Sequence, residues 1–169
     1  MSEARPIVVR CGAEGATDAL GRALAEVLTP GVVVGLAGPL GAGKTRLVRA
    51  IAAGLGVDPR DVSSPTFVLI HEYEGDLPVF HFDAYRLDTP SQFEALGVAD
   101  YWEAGGVCLV EWADRVADLL PPGAWWVVAA IDEPGRHHYE LRVPSEVAER
   151  LGARLADVAT LPGRNLSVD

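Results

Sequence analysis

The sequence predicts an α/β fold, a three-layer sandwich built around a mixed, mainly parallel central sheet. Three observations carry this. Short apolar, β-branched runs at residues 31–37 and 107–110 lack polar alternation, the pattern of strands covered on both faces. Stretches with apolar residues at helical spacing alternate with such runs, and the order strand, helix, strand, loop, helix belongs to layered α/β architecture. At 169 residues the chain is long enough for a substantial core and short for two, so one domain is expected over residues 1–169.

Taken in order, residues 6–10 form a first strand and residues 17–28 a first helix. Thr17 is expected as the N-cap of that helix, with Leu20, Leu24, Val27 and Leu28 as its apolar stripe. Pro30 and Gly31 turn the chain into the strand at 31–37, and Leu47, Val48, Ile51 and Leu55 mark a helix over 45–55. Residues 67–73 and 79–85 read as strands separated by a hairpin-length turn at 74–78. A period of two puts His81, Asp83 and Tyr85 on one face of the second strand, and Phe80, Phe82 and Ala84 on the other. A short helix at 91–96, a turn at 100–103, a strand at 107–112 and a helix at 114–120 follow. Residues 125–131 and 137–143 then alternate as a strand pair across the turn at 132–136. From about residue 144 a C-terminal helix closes the chain, with a frayed tail from Leu161.

The chemistry is concentrated at Gly38, Pro39, Leu40, Gly41, Ala42, Gly43, Lys44 and Thr45, which match G-x-x-x-x-G-K-[ST]. Glycines let the backbone curl so that successive N–H groups point inward, and the following helix adds the positive end of its dipole, so a polyphosphate is cradled by donors. Lys44 supplies a compact charge to the β- and γ-phosphates and Thr45 a hydroxyl to Mg²⁺. The motif needs a buried strand before it and a helix after it, and both are present, which makes the fold P-loop NTPase-like. Lys44 is also the only lysine among fourteen basic residues, where an ammonium is wanted rather than a planar fork.

Other positions gain meaning beside that loop. The apolar run at 107–110 ends in Glu111, the pattern of a Walker B strand, which delivers a hard oxygen ligand to Mg²⁺ next to a bound nucleotide. Ser64 and Pro65 hold Thr66 on a stiff, extended segment; it is either a turn residue with a solvent-facing hydroxyl or, near the loop, a sensor of the γ-phosphate. A strand face carrying His81, Asp83 and Tyr85 is costly to bury and reads as functional. His137 and His138 are strand neighbours pointing to opposite faces, so exposure is expected rather than a shared metal ion.

A net charge of −10 argues against a nucleic-acid-binding surface, which needs clustered Lys and Arg. Residues 1–10 lack the apolar core of a signal peptide and no run is long enough to span a membrane. Cys11 and Cys108 have neither disulfide-framework nor metal spacing and read as reduced thiols of a cytoplasmic protein. An Asn-Lys-x-Asp guanine signature is excluded, because the single lysine already sits in the phosphate loop.

The phosphate loop, then Ser64-Pro65-Thr66-Phe67, then His81-Phe82-Asp83-Ala84-Tyr85-Arg86-Leu87, then Leu109-Val110-Glu111-Trp112, in this order, resembles the TsaE (YjeE) family of small bacterial P-loop ATPases. That resemblance implies an ATP-binding and ATP-hydrolysing subunit, with ATP and Mg²⁺ as cofactors, that supports threonylcarbamoyladenosine modification of tRNA together with the TsaB and TsaD proteins. It implies that TsaD carries the transfer chemistry, so this acidic chain need not bind tRNA directly. Lys44 and Thr45 would hold phosphate and Mg²⁺, Glu111 would match the acid at the metal, Asp83 would lie near the metal or the attacking water, and Thr66 would belong to the first switch. Thr17 and Arg136 fall where the family places further nucleotide contacts. Phe67 and the helix following Pro144 depart from the family pattern without touching this chemistry. Two other readings share the loop: a P-loop kinase of a small metabolite, for which an Arg-rich lid segment is missing, and a nucleotide-dependent binding module with negligible turnover.

Overall fold

The computed structural model describes residues 5–63, 65 and 68–169. Thr66 and Phe67, and with them the expected switch threonine, lie outside the described residues. Strands β1 (Ile7–Cys11), β2 (Val33–Ala37), β3 (Ile70–Tyr73), β4 (Val79–Asp83), β5 (Val107–Glu111), β6 (Trp125–Glu133), β7 (Arg136–Arg142) and β8 (Leu166–Val168) form one sheet in the order β3-β4-β5-β2-β6-β7-β1-β8. The helices are α1 (Glu14–Val27), α2 (Lys44–Gly54), α3 (Pro90–Glu94), α4 (Val98–Trp102) and α5 (Ser145–Ala159), with a 3₁₀ segment at Ala113–Leu119. Among the described residues no helix is long and apolar enough to cross a membrane.

Alternation along β5 shows the three layers directly. Val107 and Leu109 belong to a core shared with α1, α2 and α5, whereas Cys108 and Val110 belong to one shared with α3, α4 and the 3₁₀ segment. All five residues of β5 are buried, which is why the run carried no polar alternation. Close packing of α1 on α2 needs Gly21, where a Cβ would overlap Ala50.

Parallel pairing is confined to the centre. The ladders β4–β5, β5–β2 and β2–β6 are parallel, and β3–β4, β6–β7, β7–β1 and β1–β8 are antiparallel. The expectation of a mainly parallel sheet therefore holds for four central strands and fails at both edges, because short turns such as those joining β3 to β4 and β6 to β7 can connect only antiparallel neighbours.

Two further expectations are corrected. The tail is not frayed: Leu166–Val168 pairs with β1 in the register Cys11↔Leu166 and Val9↔Val168, burying Leu166 and covering an otherwise open edge. Thr17 does not cap α1, which begins at Glu14 with Ala13 at the cap position. It is buried inside the helix instead, where its side chain hydrogen-bonds to Cys11 and Tyr139.

Candidate functional site

The chain leaves the end of β2, loops through residues 38–43 and enters α2 at Lys44. Gly38 (φ +136°) and Gly43 (φ +96°) adopt backbone conformations closed to other residues, and the space beside them is closed as well. A Cβ on Gly38 would overlap the Ala129 carbonyl of β6, and one on Gly43 would overlap the Tyr139 hydroxyl of β7. Tyr139 Oη donates to the Gly43 carbonyl at 3.4 Å, so the loop is seated against two neighbouring strands.

Lys44 is 5% exposed and donates from Nζ to the carbonyls of Gly38 (2.6 Å) and Pro39 (2.8 Å), bracing the loop from inside. Its ammonium also lies 4.0 Å from the centroid of the Trp112 ring, a cation–π contact. Burial pushes its pKa below the ordinary lysine value, opposed by the carboxylates of Glu111, Asp114 and Asp83.

Parallel pairing of β4 with β5 sets Asp83 directly opposite Glu111, at the strand ends that face the loop. Thr45 Oγ1 lies 2.9 Å from both carboxylate oxygens of Glu111, and His81 Nε2 lies 2.8 Å from Oε1. A carboxylate only accepts, so His81 donates from Nε2. His81 is completely buried, and its Nδ1 has no hydrogen-bond partner among the described residues. Asp83 is 4% exposed and accepts the Tyr85 amide N–H at 2.9 Å. Leu40, Thr45, Asp83, Glu111 and Trp112 help line a cavity of about 320 Å³ over the loop.

Of the expected site residues, the loop, Lys44, Thr45, Asp83 and Glu111 thus come together. Thr17 stands one layer behind, bonded to the tyrosine on which Gly43 rests. Arg136 lies at the start of β7, beside Glu133 (3.5 Å), on a second cavity. The polar strand face exists but points inward: only Tyr85, beyond the end of β4, is exposed. His138 bonds Asp132, and His137 is half-buried with a buried Nδ1, so neither is the freely exposed histidine expected. Sequence reasoning gave Trp112 no role. It stood only as the last residue of the Leu109-Val110-Glu111-Trp112 motif, and the left-handed backbone (φ 56°) at this position leaves no mark in composition.

A glycine loop between a buried parallel strand and a helix, with its threonine bonded to the acid that ends the adjacent strand, defines a P-loop nucleotide-binding protein. Comparison with known proteins narrows the class. The family model described as threonylcarbamoyl adenosine biosynthesis protein TsaE matches residues 11–138, and the chain belongs to that family.

Proteins named tRNA threonylcarbamoyladenosine biosynthesis protein TsaE are similar to it. That of Bacillus subtilis is 46% identical over 106 residues, 62% of this chain and 65% of the relative. That of Treponema pallidum is 40% identical over 115 residues, 67% of this chain and 84% of the relative. The crystal structure of Bacillus subtilis YdiB superposes with a TM-score of 0.72 at 29% identity, covering 94% of this chain and all of that one. The matched stretch spans just under two thirds of the first of these relatives.

Proposed function

We propose that the chain is a Mg²⁺-dependent ATPase of the cytoplasm that acts with TsaB and TsaD in forming threonylcarbamoyladenosine on tRNA. The observation that carries the reading is the bond from Thr45 Oγ1 to Glu111, 2.9 Å, which joins the phosphate loop to the end of the neighbouring strand where a metal ligand is needed. The pathway follows from the names of the relatives.

The donor set suits magnesium. Among the described residues there is no cluster of three or more His, Cys, Asp or Glu side chains fit to hold a metal. Mg²⁺ does not need such a cage, since it keeps its waters and is held by one or two carboxylates together with substrate phosphates. Bound there, it would neutralise charge on the β- and γ-phosphates. Thr45 and Glu111 are its ligands, and Asp83, opposite Glu111, orients the attacking water. His81 fixes the Glu111 carboxylate from behind. Lys44, already desolvated, offers the phosphates a charge that water screens poorly. Thr66 serves as the switch residue and Arg136 as a nucleotide contact, while Thr17 supports the loop through Tyr139. The net charge of −10 leaves tRNA to the partners.

Lys44→Ala is expected to abolish most ATP binding in a folded protein, and Glu111→Gln to lower phosphate release by about 100-fold and raise the Mg²⁺ requirement. Nucleotide titration and phosphate release, each with and without TsaB and TsaD, test this. Turnover that rises with the partners supports the assignment, and unchanged binding and turnover in both variants would overturn it.

A further inference from the structure

Beyond the facing pair Asp83 and Glu111, the two strands that carry the acids diverge. Ala84 N–H still donates to the Glu111 carbonyl at 3.1 Å, and residues 84–87 then close a β-turn with Leu87 N–H on the Ala84 carbonyl at 3.3 Å. β5 instead passes through Trp112 into the 3₁₀ segment at Ala113–Leu119. The turn after β4 bears on the chemistry, because the Tyr85 N–H is donated to Asp83 Oδ1 at 2.9 Å. Where residue 85 sits therefore sets which way that carboxylate faces.

Arg115, on the 3₁₀ segment, closes the fork between the two chains. Its Nη1 donates to the carbonyls of Tyr85 and of Leu87 (3.4 Å), so one planar group grips both limbs of the turn. The guanidinium also stands 5.6 Å from the centroid of the Tyr85 ring and 6.0 Å from that of Trp112, two rings packed 4.8 Å apart. Elsewhere Arg10, Arg46, Arg142 and Arg154 pair with carboxylates. Arg115 directs its donors to backbone instead, and a charged donor held on two carbonyls of one turn fixes a chain conformation.

We infer that Arg115 is a positioning residue for the reaction: by holding the Tyr85 and Leu87 carbonyls it fixes the turn that orients the Asp83 carboxylate opposite Glu111. The inference rests on the function proposed above, in which Asp83 orients the attacking water. Arg115 acts at one remove, through Tyr85, and its hydrogen bonds do not reach the phosphate loop. Its loss should therefore disturb alignment of the water, to which rate is steeply sensitive, and leave the grip on the phosphates in place.

The test compares the full native chain with Arg115→Met, which keeps an apolar stem and removes the donors, with Arg115→Lys, which keeps a charged donor, and with Asp83→Asn alone and combined with Arg115→Met. Phosphate release is followed with TsaB and TsaD present, and urea midpoints are read in parallel. Arg115→Met should lower kcat about tenfold, the size of a hydrogen bond from a charged donor, with KM for ATP unchanged, and Arg115→Lys should recover a good part of the loss. Added to Asp83→Asn, the same change should cost less than about twofold more, because the residue acts through that carboxylate. An unchanged kcat, a loss confined to KM, a further loss of about tenfold in the Asp83→Asn chain, or a loss that Arg115→Lys shares in full and that follows a lowered urea midpoint would each overturn the role. Phosphate release undiminished in Lys44→Ala would instead overturn the function proposed above, and this role with it.

Discussion

At the β4–β5–β2 end of the sheet, Lys44, His81, Asp83 and Glu111 are at most 5% exposed and lean on one another; at the β7–β1–β8 end, Arg10, Asp132, Glu140 and Arg142 form ion pairs open to water. The second kind of pair contributes little, because water screens it and two long side chains must be ordered to make it. The first kind is expensive to assemble, since each ion gives up its hydration, and its members tolerate the loss of a partner badly. Burying these polar groups costs stability, and such clusters gather at functional sites. The second region uses charge mainly to finish a surface.

The largest expected effect sharpens this contrast with groups that both regions bury uncharged. Burial pushes the Cys108 thiol up to about 12, the Tyr139 phenol up to about 12 and the Cys11 thiol up to about 11. All three hold their protons more tightly folded than unfolded, so the stability they add is complete below their ordinary values of 9.0 and 10.0 and is lost as pH climbs through the folded ones. Urea denaturation across pH 8 to 12 should show a loss of several kcal/mol concentrated above about pH 9. A flat profile would mean that these groups are not protected as the structure has them.

A smaller effect is expected from His81. Replacing it with leucine removes the donor held 2.8 Å from Glu111 and should cost about 2 kcal/mol of unfolding free energy, because a charged acceptor is left buried with one partner fewer. His81→Gln, which keeps an N–H near the same place, should recover a good part of the loss. Comparing the two variants by urea denaturation checks the point, and equal losses would show that shape rather than the hydrogen bond is what matters at this position.

The smallest effect lies at the other end. Arg142→Ala breaks a pair 2.7 Å from Glu140 yet should change stability by less than about 1 kcal/mol, and by less again in high salt. A larger loss, insensitive to salt, would erase the distinction between the two regions.

What could be read in the sequence divides along similar lines. The loop was legible because its glycines, its lysine and the flanking periodicities are local, and Glu111 because a carboxylate after four apolar residues is local too. The bond between His81 and Glu111 depends on the parallel register of β4 against β5, which neither strand states alone. Thr17 looked like a helix cap because capping preference is local, whereas the partner that claimed it, Tyr139, sits on a strand far along the chain. The β8 strand escaped notice for the same reason: Leu166, Ser167 and Val168 become a strand only beside β1.

Thr45 and Glu111 stand 66 residues apart, with two strands and two helices between them. On a ribosome adding about 5 to 20 residues per second, the carboxylate emerges about 3 to 13 s after the threonine it binds. In that interval a nascent chain can display a glycine loop with the right spelling and no acid beside it, and β2 has neither β5 nor β6 to shelter it. The pairing of the loop with its acid is therefore acquired late in synthesis, and a chain halted before β5 would be exposed to chaperones and proteases at the segment that later becomes the centre of its sheet.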